Sequence, residues 1–249
     1  MTPTGDAPAL RFSPLESARF GLRVFRANVD AIDAPTLAAA IENEGVDVAI
    51  VRIPSRALAS VVPLAALGFA PIVADTLVHY ETSLEAWPQR DAGITLRSAT
   101  RADADLVERM ARAIFSGYTS HYHANPLFAP DSILDGYAEW ATRHLEADDG
   151  SAAWIVEHDG VPVGFSCDRV ESSSGIATGV LNGILPEARR RGFYGAMLQA
   201  LLSRFVHLRM RRFAIATQVH NFPVQRTWIA NGLMLKGAYN TVHVNAIRR

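Results

Sequence analysis

Cysteine is nearly absent from the chain, since Cys167 is the single one among 249 residues. One cysteine excludes an internal disulfide and a metal site built from several thiolates of one chain. No apolar run reaches the roughly 18–20 residues of a membrane span. The first residues, MTPTGDAPALRF, lack the basic start and the apolar core of a secretory signal. These absences predict a soluble, cytoplasmic protein.

A strong net charge is also missing. The formal net charge is −1, which gives no general attraction to nucleic acid. Hydrophobic residues make up 49% of the chain, which is enough to bury a core and excludes a disordered protein. A local basic patch on a nearly neutral chain favours a small anionic ligand over a polyanion. Such a patch is formed by Arg189, Arg190, Arg191, Arg204, Arg209, Arg211 and Arg212.

The composition along the chain predicts three segments. Residues 1–84 alternate between strand and helix signals, as in a small α/β domain. Residues 85–93 are polar and contain Pro88 and Gly93, so we expect a linker there. Residues 94–249 form the larger domain, which includes a hairpin signal at Asp159-Gly160 between two β-rich runs. In the first domain, Arg56–Leu67 has helical spacing and ends at Gly68, which predicts a capped helix.

A weak internal repeat relates the two domains. The interval from Gly68 to His79 equals the interval from Gly232 to His243, and each lies in a strand–helix–strand pattern. One interpretation is a chance similarity between two ordinary units. The other is that residues 1–84 are a truncated relative of the C-terminal domain.

The segment from Leu185 to Leu198 carries the most informative pattern. A predicted strand ends, a short turn with three arginines and Gly192 follows, and a helix begins. The free N–H groups at a helix start, with nearby arginines, suit a pyrophosphate. The alternative is a solvated basic turn before a surface helix.

This segment resembles the coenzyme A pyrophosphate loop of the GNAT (Gcn5-related) N-acetyltransferases, whose pattern is [Gln/Arg]-x-x-Gly-x-[Gly/Ala]. Arg189, Gly192 and Tyr194 fill its first, fourth and sixth places, with Tyr194 replacing a small residue. The resemblance implies an α+β fold with a mixed, mostly antiparallel central sheet flanked by helices, preceded here by the smaller domain. It implies acetyl-CoA as the acyl donor, bound by Gly183, Ile184, Leu185, Arg189, Arg190, Arg191, Gly192, Phe193, Tyr194, Gly195, Asn221 and Trp228.

A second stretch agrees with the same superfamily, whose pattern is Asn-x-x-Ala-x-x-x-Tyr-x-x-x-Gly-Phe. Asn221, Gly232 and Leu233 are in register with it. Asn221 is expected to hydrogen-bond the pantetheine arm, or to serve as an N-cap. Trp228 stands where the family has a tyrosine that protonates the departing thiolate, and an indole cannot transfer that proton. Tyr194, Tyr239 and His243 are substitutes by residue type, or the thiolate takes its proton from water.

The third motif narrows the resemblance. Ser120-His-Tyr-His-Ala-Asn-Pro126, followed by Tyr137 and Trp140, resembles a loop of acetyltransferases similar to TDP-fucosamine (TDP-4-amino-4,6-dideoxygalactose) acetyltransferase. A packed structural loop is the alternative. No metal is expected, because the His-x-His pair lacks a matching carboxylate. The implied acceptor-binding residues are Tyr118, His121, Tyr122, His123, Asn125 and Gln218, with His123, Tyr239 and His243 as candidate catalytic residues.

The resemblance implies direct attack of a primary amine on acetyl-CoA in a ternary complex, without a covalent enzyme intermediate. Cys167 is therefore expected to be a small strand residue and not a nucleophile. A nucleotide-linked amino sugar is the expected acceptor, and another small amine, such as an antibiotic or an amino acid, is the alternative. A CoA-binding sensor without turnover also fits, since Trp228 replaces the usual acid. We expect no nucleic-acid or membrane partner and a possible homodimer.

Overall fold

The computed structural model describes residues 10–85, 87, 93–146 and 150–246. In these residues the chain forms ten strands and seven α-helices, joined by turns and short 3-10 helices. The strands are β1 (Arg11–Phe12), β2 (Val24–Asn28), β3 (Val48–Pro54), β4 (Ile72–Ser83), β5 (Thr95–Ser98), β6 (Ser151–His158), β7 (Val161–Glu171), β8 (Ile176–Ile184), β9 (Arg212–Gln218) and β10 (Met234–Asn245). The helices are α1 (Pro14–Phe20), α2 (Ala34–Glu44), α3 (Pro63–Ala66), α4 (Ala104–Phe115), α5 (Pro130–Arg143), α6 (Phe193–His207) and α7 (Phe222–Ala230).

The chain divides into two compact units that are not continuous in sequence. Unit 1 takes in the described residues up to Val78, Thr119–Ile133 and those from Gly237 onward. Its strand order is β1-β2-β3-β10-β4, in which β2 and β3 are parallel and β10 is antiparallel to β3. The last strand of the chain therefore completes the sheet of a unit that is otherwise built mainly from N-terminal residues.

The two faces of the unit 1 sheet differ in chemistry, because successive side chains of a strand point to opposite faces. One face is apolar and packs against α2 through Leu37 and Ile41. Its strand residues include Val51 and Val242. The other face carries the residues that alternate with these, namely Arg26, Arg52, Thr241, His243 and Asn245.

Unit 2 consists of His79–Tyr118 and Leu134–Lys236. Its strand order is β4-β9-β8-β7-β6-β5. Strands β5 to β8 pair antiparallel, and β8 and β9 are parallel. This confirms the predicted mixed, mostly antiparallel sheet. The predicted hairpin is also confirmed, because Asp159 and Gly160 join β6 to β7 with φ values of 51° and 75°.

Strands β8 and β9 separate along their length. Their pairing joins Ile176–Gly179 to Arg212–Ile215, although β8 continues to Ile184 and β9 to Gln218. A register shift in the β7–β8 pairing coincides with the point where β8 leaves β9. Backbone groups of β8 beyond Gly179 therefore face a gap in the sheet, where an extended ligand can hydrogen-bond to them.

Some local predictions differ from the structure. The expected helix over Arg56–Leu67 is interrupted: a 3-10 helix covers Ser55–Val61 and α3 begins at Pro63. Proline lacks the N–H that a continuous helix would need at that position. Gly68 does adopt a left-handed conformation after α3, with φ of 85°.

Most of the predicted linker lies outside the described residues. The boundary between residues 84 and 94 stays a prediction. Within the part of the chain that is described, no helix has the length and apolar character needed to cross a membrane.

Candidate functional site

The turn between β8 and α6 in unit 2 presents the start of a helix to solvent. A 3-10 turn over Pro186–Ala188 follows β8, and Arg190 has φ of 64°. Gly192 is the N-cap of α6 with φ of 82° and provides no side-chain cap. The first N–H groups of an α-helix have no intrahelical partner. With an uncapped start and the helix dipole, this turn has the donor set that binds an anionic group.

The three arginines of this turn have different environments. The Arg189 side chain donates from Nε to the Ile184 carbonyl at 3.3 Å and from Nη2 to the Ile114 carbonyl at 3.1 Å. It therefore ties the turn to β8 and to the end of α4. The Arg191 guanidinium carbon lies 4.8 Å from the centre of the Phe193 ring. All three arginines are exposed, so each can approach an anion, and the Arg189 guanidinium is the one hydrogen-bonded here to two carbonyls.

Polar side chains gather at the end of β9, beside the gap. The Asn221 side-chain amide donates to Thr217 Oγ1 at 2.9 Å. The Tyr118 hydroxyl donates to the Gln218 side-chain oxygen. Asn221 occupies the N-cap position of α7, but its side chain makes no cap hydrogen bond. Its amide is therefore positioned by β9 and not by the helix that follows.

Trp228 lies in the interior of unit 2. It is 1% exposed, and its ring centre is 5.4 Å from that of Tyr80. The indole Nε1 donates to the Tyr194 hydroxyl at 3.1 Å, and this hydroxyl donates to Asn182 Oδ1 at 3.0 Å. Burial raises the pKa of Tyr194 above its usual range. Tyr194 is thus a neutral phenol, fixed in orientation by Trp228 and Asn182.

Close packing surrounds the end of β8. A Cβ at Gly183 would lie 2.4 Å from Ile114 Cγ2, and a Cβ at Gly164 would lie 2.3 Å from the Gly183 carbonyl oxygen. Both distances are shorter than any normal contact between these atoms. With the strands packed as they are, neither position has room for a side chain larger than that of glycine. The backbone at Gly183 and Ile184 is held between β7 and α4.

In unit 1, a chain of hydrogen bonds joins His121, His243 and Asn125. His121 Nδ1 and His243 Nε2 are 2.9 Å apart, and Asn125 Nδ2 lies 3.2 Å from His243 Nδ1. The backbone N–H of Leu127 donates to Asn125 Oδ1 at 3.1 Å, which fixes the orientation of the amide. His243 Nδ1 is therefore an acceptor, and its proton is on Nε2. His121 consequently accepts at Nδ1 and carries its proton on Nε2.

Both histidines are neutral at pH 7. Burial, followed by the charge of Arg26, lowers the pKa of His243 to about 4. Burial, His243 and then Arg26 and Arg52 lower the pKa of His121. His243 is 0% exposed, so in this structure it can influence a ligand only through His121.

His123 is exposed and belongs to a local capping motif. The Ser120 backbone N–H donates to His123 Nδ1 at 3.2 Å, and Ser120 Oγ lies 3.3 Å from the same atom. In the neutral ring the proton is therefore on Nε2. The lone pair that a general base would use is occupied by Ser120.

Tyr122 is part of an ion-pair network that the sequence did not indicate. Arg26 contacts the two Glu16 carboxylate oxygens at 2.5 Å each, and its Nη2 donates to the Tyr122 hydroxyl at 2.8 Å. The Tyr122 hydroxyl also donates to Glu16. Burial alone would raise the pKa of Glu16, but the hydrogen bonds and charge of Arg26 lower it. The sequence feature that could have indicated this network is Arg26, a charged residue within the otherwise largely apolar strand VFRAN.

The predicted site residues are distributed over both units. Unit 2 contains the predicted donor-binding residues together with Tyr118 and Gln218. Unit 1 contains the other predicted acceptor-binding and catalytic residues, which are His121, Tyr122, His123, Asn125, Tyr239 and His243. Among the described residues, no three His, Cys, Asp or Glu side chains are grouped as metal ligands are.

Comparison with known proteins identifies the architecture. Residues 114–232 match the model of the acetyltransferase (GNAT) family, a segment that runs from the end of α4 through both motifs to Gly232. A conserved protein of unknown function from Staphylococcus epidermidis superposes with a TM-score of 0.64 at 15% identity, covering 99% of this chain and 94% of that chain. The chain has the GNAT fold.

Other solved structures are similar to this chain over most of its length. A GCN5-related N-acetyltransferase from Sphaerobacter thermophilus gives a TM-score of 0.58 at 14% identity, covering 91% of this chain and 74% of that chain. A tandem GNAT protein from the clavulanic acid biosynthesis pathway gives 0.58 at 15% identity, covering 92% and 77%. None of the curated proteins compared with the chain matches it. The family model covers residues 114–232 and these structures share the fold of the chain, whereas the narrower likeness to TDP-fucosamine acetyltransferase is not confirmed.

Proposed function

We propose that the protein transfers an acetyl group from acetyl-CoA to a primary amine of a small molecule. The observation that carries this proposal is the uncapped start of α6 beside the gap between β8 and β9. GNAT proteins use acetyl-CoA generally, and these two features suit its parts: the pyrophosphate at the helix start and the amide-rich pantetheine in the gap.

The transfer requires a neutral amine and a polarised thioester carbonyl. The backbone N–H near Gly183 or Ile184 is proposed to donate to the carbonyl oxygen, from a position fixed by the packing against Ile114. Asn221, held by Thr217, is proposed to bind the pantetheine arm. The amine nitrogen forms the new C–N bond, the C–S bond breaks, and the amine proton passes to solvent or to a nearby base.

The proton for the leaving thiolate is proposed to come from water. Trp228 cannot supply it, because an indole N–H is not acidic enough. Tyr194 has the right residue type, but a phenol with a raised pKa holds its proton more tightly than a thiol does. Tyr194 is therefore assigned to orientation of the site. Tyr239 stays a candidate by residue type for the acid or base, whereas His123 and His243 could serve only if the hydrogen bonds at their ring nitrogens break.

The donor site can be tested by calorimetric titration of acetyl-CoA. Gly192→Asp places a carboxylate and a strained φ at the helix start, and Arg190→Ala with Arg191→Ala removes two of the three exposed charges of the turn. Each change is expected to weaken acetyl-CoA binding by about 10-fold or more, as the loss of charge-assisted hydrogen bonds does. Arg101→Ala, at a surface arginine with a side chain 79% exposed, is the matched control. If acetyl-CoA binds Gly192→Asp and the double arginine variant as tightly as it binds wild type, the proposed donor site is refuted.

The acceptor is proposed to be a nucleotide-linked amino sugar. This rests on the loop from Ser120 to Pro126 and on the buried hydrogen-bonding groups of His121 and Asn125. Another small amine, such as an antibiotic or an amino acid, is the second candidate. Thiol release from acetyl-CoA, measured against TDP-amino sugars, aminoglycosides and amino acids, separates the two. Tight CoA binding without thiol release in any arm would favour a CoA-binding sensor.

The N-terminal region is proposed to be a truncated GNAT-like unit. Both halves follow the order strand, helix, parallel strand, helix, long strand: β2-α2-β3-α3-β4 and β8-α6-β9-α7-β10. Gly68 and Gly232 have φ values of 85° and 78° before their long strands. The tandem GNAT protein among the similar structures supports this origin.

The remaining proposals concern the cell and partners. We propose a cytoplasmic enzyme that acts on a small molecule, without a nucleic-acid or membrane partner, and that can form a homodimer. Light scattering on the purified protein measures the oligomeric state.

A further inference from the structure

The two positions at which the chain departs from the GNAT patterns are hydrogen-bonded to each other in unit 2. Tyr194 stands in place of a small residue, and Trp228 stands in place of a tyrosine. The Trp228 Nε1 lies 3.1 Å from the Tyr194 hydroxyl oxygen, and this oxygen lies 3.0 Å from Asn182 Oδ1. Residues of two separate motifs are therefore joined to one side chain of β8.

The direction of these hydrogen bonds is set by the chemistry of the three side chains. An indole N–H donates and cannot accept, so the Tyr194 oxygen accepts from Trp228. The hydroxyl proton of Tyr194 is then donated to Asn182 Oδ1, which turns the Asn182 Nδ2 away from Tyr194. The two N–H groups of this Nδ2 have no hydrogen-bond partner among the described residues. Asn182 is thus held in one orientation with its donor end available.

Asn182 borders the gap between β8 and β9. The pairing of β8 with β9 ends at Gly179, before this residue. On the opposite edge of β8, Asn182 is paired with Ser166 of β7, which is 0% exposed. Asn182 is itself half-buried, and its Nδ2 is not one of the enclosed side-chain atoms that lack a partner. The open side of its carboxamide is therefore the side that β9 has left.

Backbone donors of β8 face the same gap. The N–H of Leu185 donates to the Val163 carbonyl of β7 at 2.9 Å. Successive N–H groups of a strand point to opposite edges, so those of Asn182 and Ile184 point away from β7. A ligand in the gap therefore meets backbone N–H groups and the Asn182 carboxamide on one side. Such donors favour a carbonyl oxygen, and most of all one on which negative charge develops.

We propose that Asn182 is a further catalytic residue whose Nδ2 donates a hydrogen bond to the thioester carbonyl oxygen of acetyl-CoA. Tyr194 and Trp228 are then positioning residues that hold its amide. This role rests on the proposed function. As the amine attacks, the electrons of the carbonyl double bond move to the oxygen, and Asn182 stabilises that charge without giving up a proton. When the carbonyl re-forms, the electrons of the C–S bond leave with the sulfur. Trp228 thus has a task that needs no acidic proton.

The test compares acetyl-CoA with CoA, which lacks the thioester carbonyl, by calorimetry on the full-length protein. Asn182→Ala is expected to weaken acetyl-CoA binding by about 5-fold and CoA binding by less than about 2-fold, because the hydrogen bond is lost only with acetyl-CoA. Tyr194→Phe keeps the asparagine but releases its amide, so acetyl-CoA binding should weaken by about 2- to 3-fold. In the Asn182→Ala background, Tyr194→Phe should have no further effect on acetyl-CoA affinity. Asn43→Ala, at an exposed asparagine of α2, is the matched control and should bind both compounds as wild type does.

The carbonyl group of the bound donor gives a second readout. Isotope-edited infrared spectra of acetyl-CoA labelled at the acetyl carbonyl carbon follow this group alone. A hydrogen bond lowers the C=O stretching frequency, so we expect a lower frequency in wild type than in Asn182→Ala, with Tyr194→Phe between them. A purely structural role of Asn182 would leave this frequency unchanged.

Equal losses of acetyl-CoA and CoA affinity in Asn182→Ala, or an unchanged carbonyl frequency, would overturn the proposal. If Asn182→Ala does not fold, Tyr194→Phe decides by the same two measurements. If wild type binds neither acetyl-CoA nor CoA, the proposed function fails together with this role. Binding of both compounds with an unchanged ratio of affinities in Asn182→Ala removes this role alone.

Discussion

At the scale of single residues, Asp168 is the most unusual group in unit 2. It is 0% exposed in β7, and Ser166 Oγ donates to its Oδ1 at 3.1 Å. Burial raises the pKa of Asp168 to about 7, and Ser166, Trp154 and Arg204 oppose this by smaller amounts. The carboxyl group is therefore largely protonated in the folded protein at slightly acidic pH, while in the unfolded chain it is ionised.

Asp168 should make the free energy of unfolding depend on pH. A raised pKa in the folded state gives stability that is fully present below the unfolded pKa of about 4 and is lost as the pH rises to about 7. The total is on the order of 3–4 kcal/mol. Asp168→Asn should remove this component, as measured by urea unfolding between pH 4 and 8. Asp159→Asn, at an exposed turn residue, is the control, and an unchanged pH profile in Asp168→Asn would contradict the assignment.

The tautomer of the His243 ring is set by its buried hydrogen bonds. Asn125 donates to its Nδ1, so we expect the proton on Nε2 throughout the range from pH 5 to 8. Long-range nitrogen–proton correlation spectra distinguish a ring nitrogen that carries a proton from one that accepts. An imidazolium signal for His243 at pH 6, or a proton on Nδ1, would contradict the hydrogen-bond chain.

At the scale of secondary-structure elements, the turn between β8 and α6 separates two tasks. Arg189 holds the turn through carbonyls of β8 and α4, and Arg190 and Arg191 are exposed beside the helix start, as Arg189 also is. Arg189 fills the first place of the [Gln/Arg]-x-x-Gly-x-[Gly/Ala] pattern. Its hydrogen bonds to two backbone carbonyls are a structural reason for an arginine at that place.

Arg189→Ala should therefore lower stability as well as acetyl-CoA affinity. It removes two charged hydrogen bonds to backbone carbonyls, which we expect to cost roughly 1–3 kcal/mol in partly exposed surroundings. Arg190→Ala is the matched control, with acetyl-CoA affinity reduced and unfolding changed by less than about 0.5 kcal/mol. Thermal and denaturant unfolding of both variants, followed by calorimetry, gives the comparison. An Arg189→Ala variant as stable as wild type would show that these hydrogen bonds contribute nothing.

At the scale of the whole molecule, each half of the chain completes the sheet of the other. Gly237–Asn245 of β10 belongs to unit 1, and His79–Ser83 of β4 belongs to unit 2. Val242 and Val244 of β10 lie in the apolar core of unit 1 with Leu37 and Val51. Unit 1 therefore cannot form its core without the C-terminal strand.

Val242→Ala should destabilise unit 1 although it lies far from that unit along the chain. Removing two buried methyl groups costs roughly 1–3 kcal/mol. Hydrogen exchange should increase in peptides of β3 and α2, which share this core. Val161→Ala, at a valine 60% exposed, is the control. Faster hydrogen exchange confined to β9 and α7 would contradict the placement of Val242 in the core of unit 1.

The sequence by itself determined the local features of this protein. The Asp159-Gly160 hairpin and the turn before α6 follow from residues next to one another, because dihedral preferences and helix starts are set locally. The general fold class was what the resemblance of two motifs to the GNAT superfamily implied.

The tertiary structure decided what depends on strand pairing. Alternating residues in β10 predict a strand but do not say that β3 is its partner, since many strands offer the same pattern. Only that pairing buries His243 beneath His121 and places Thr241 opposite Arg52. Residues chosen as catalytic by type, such as His243, gained a different environment there, because burial and hydrogen bonding depend on residues far away along the chain.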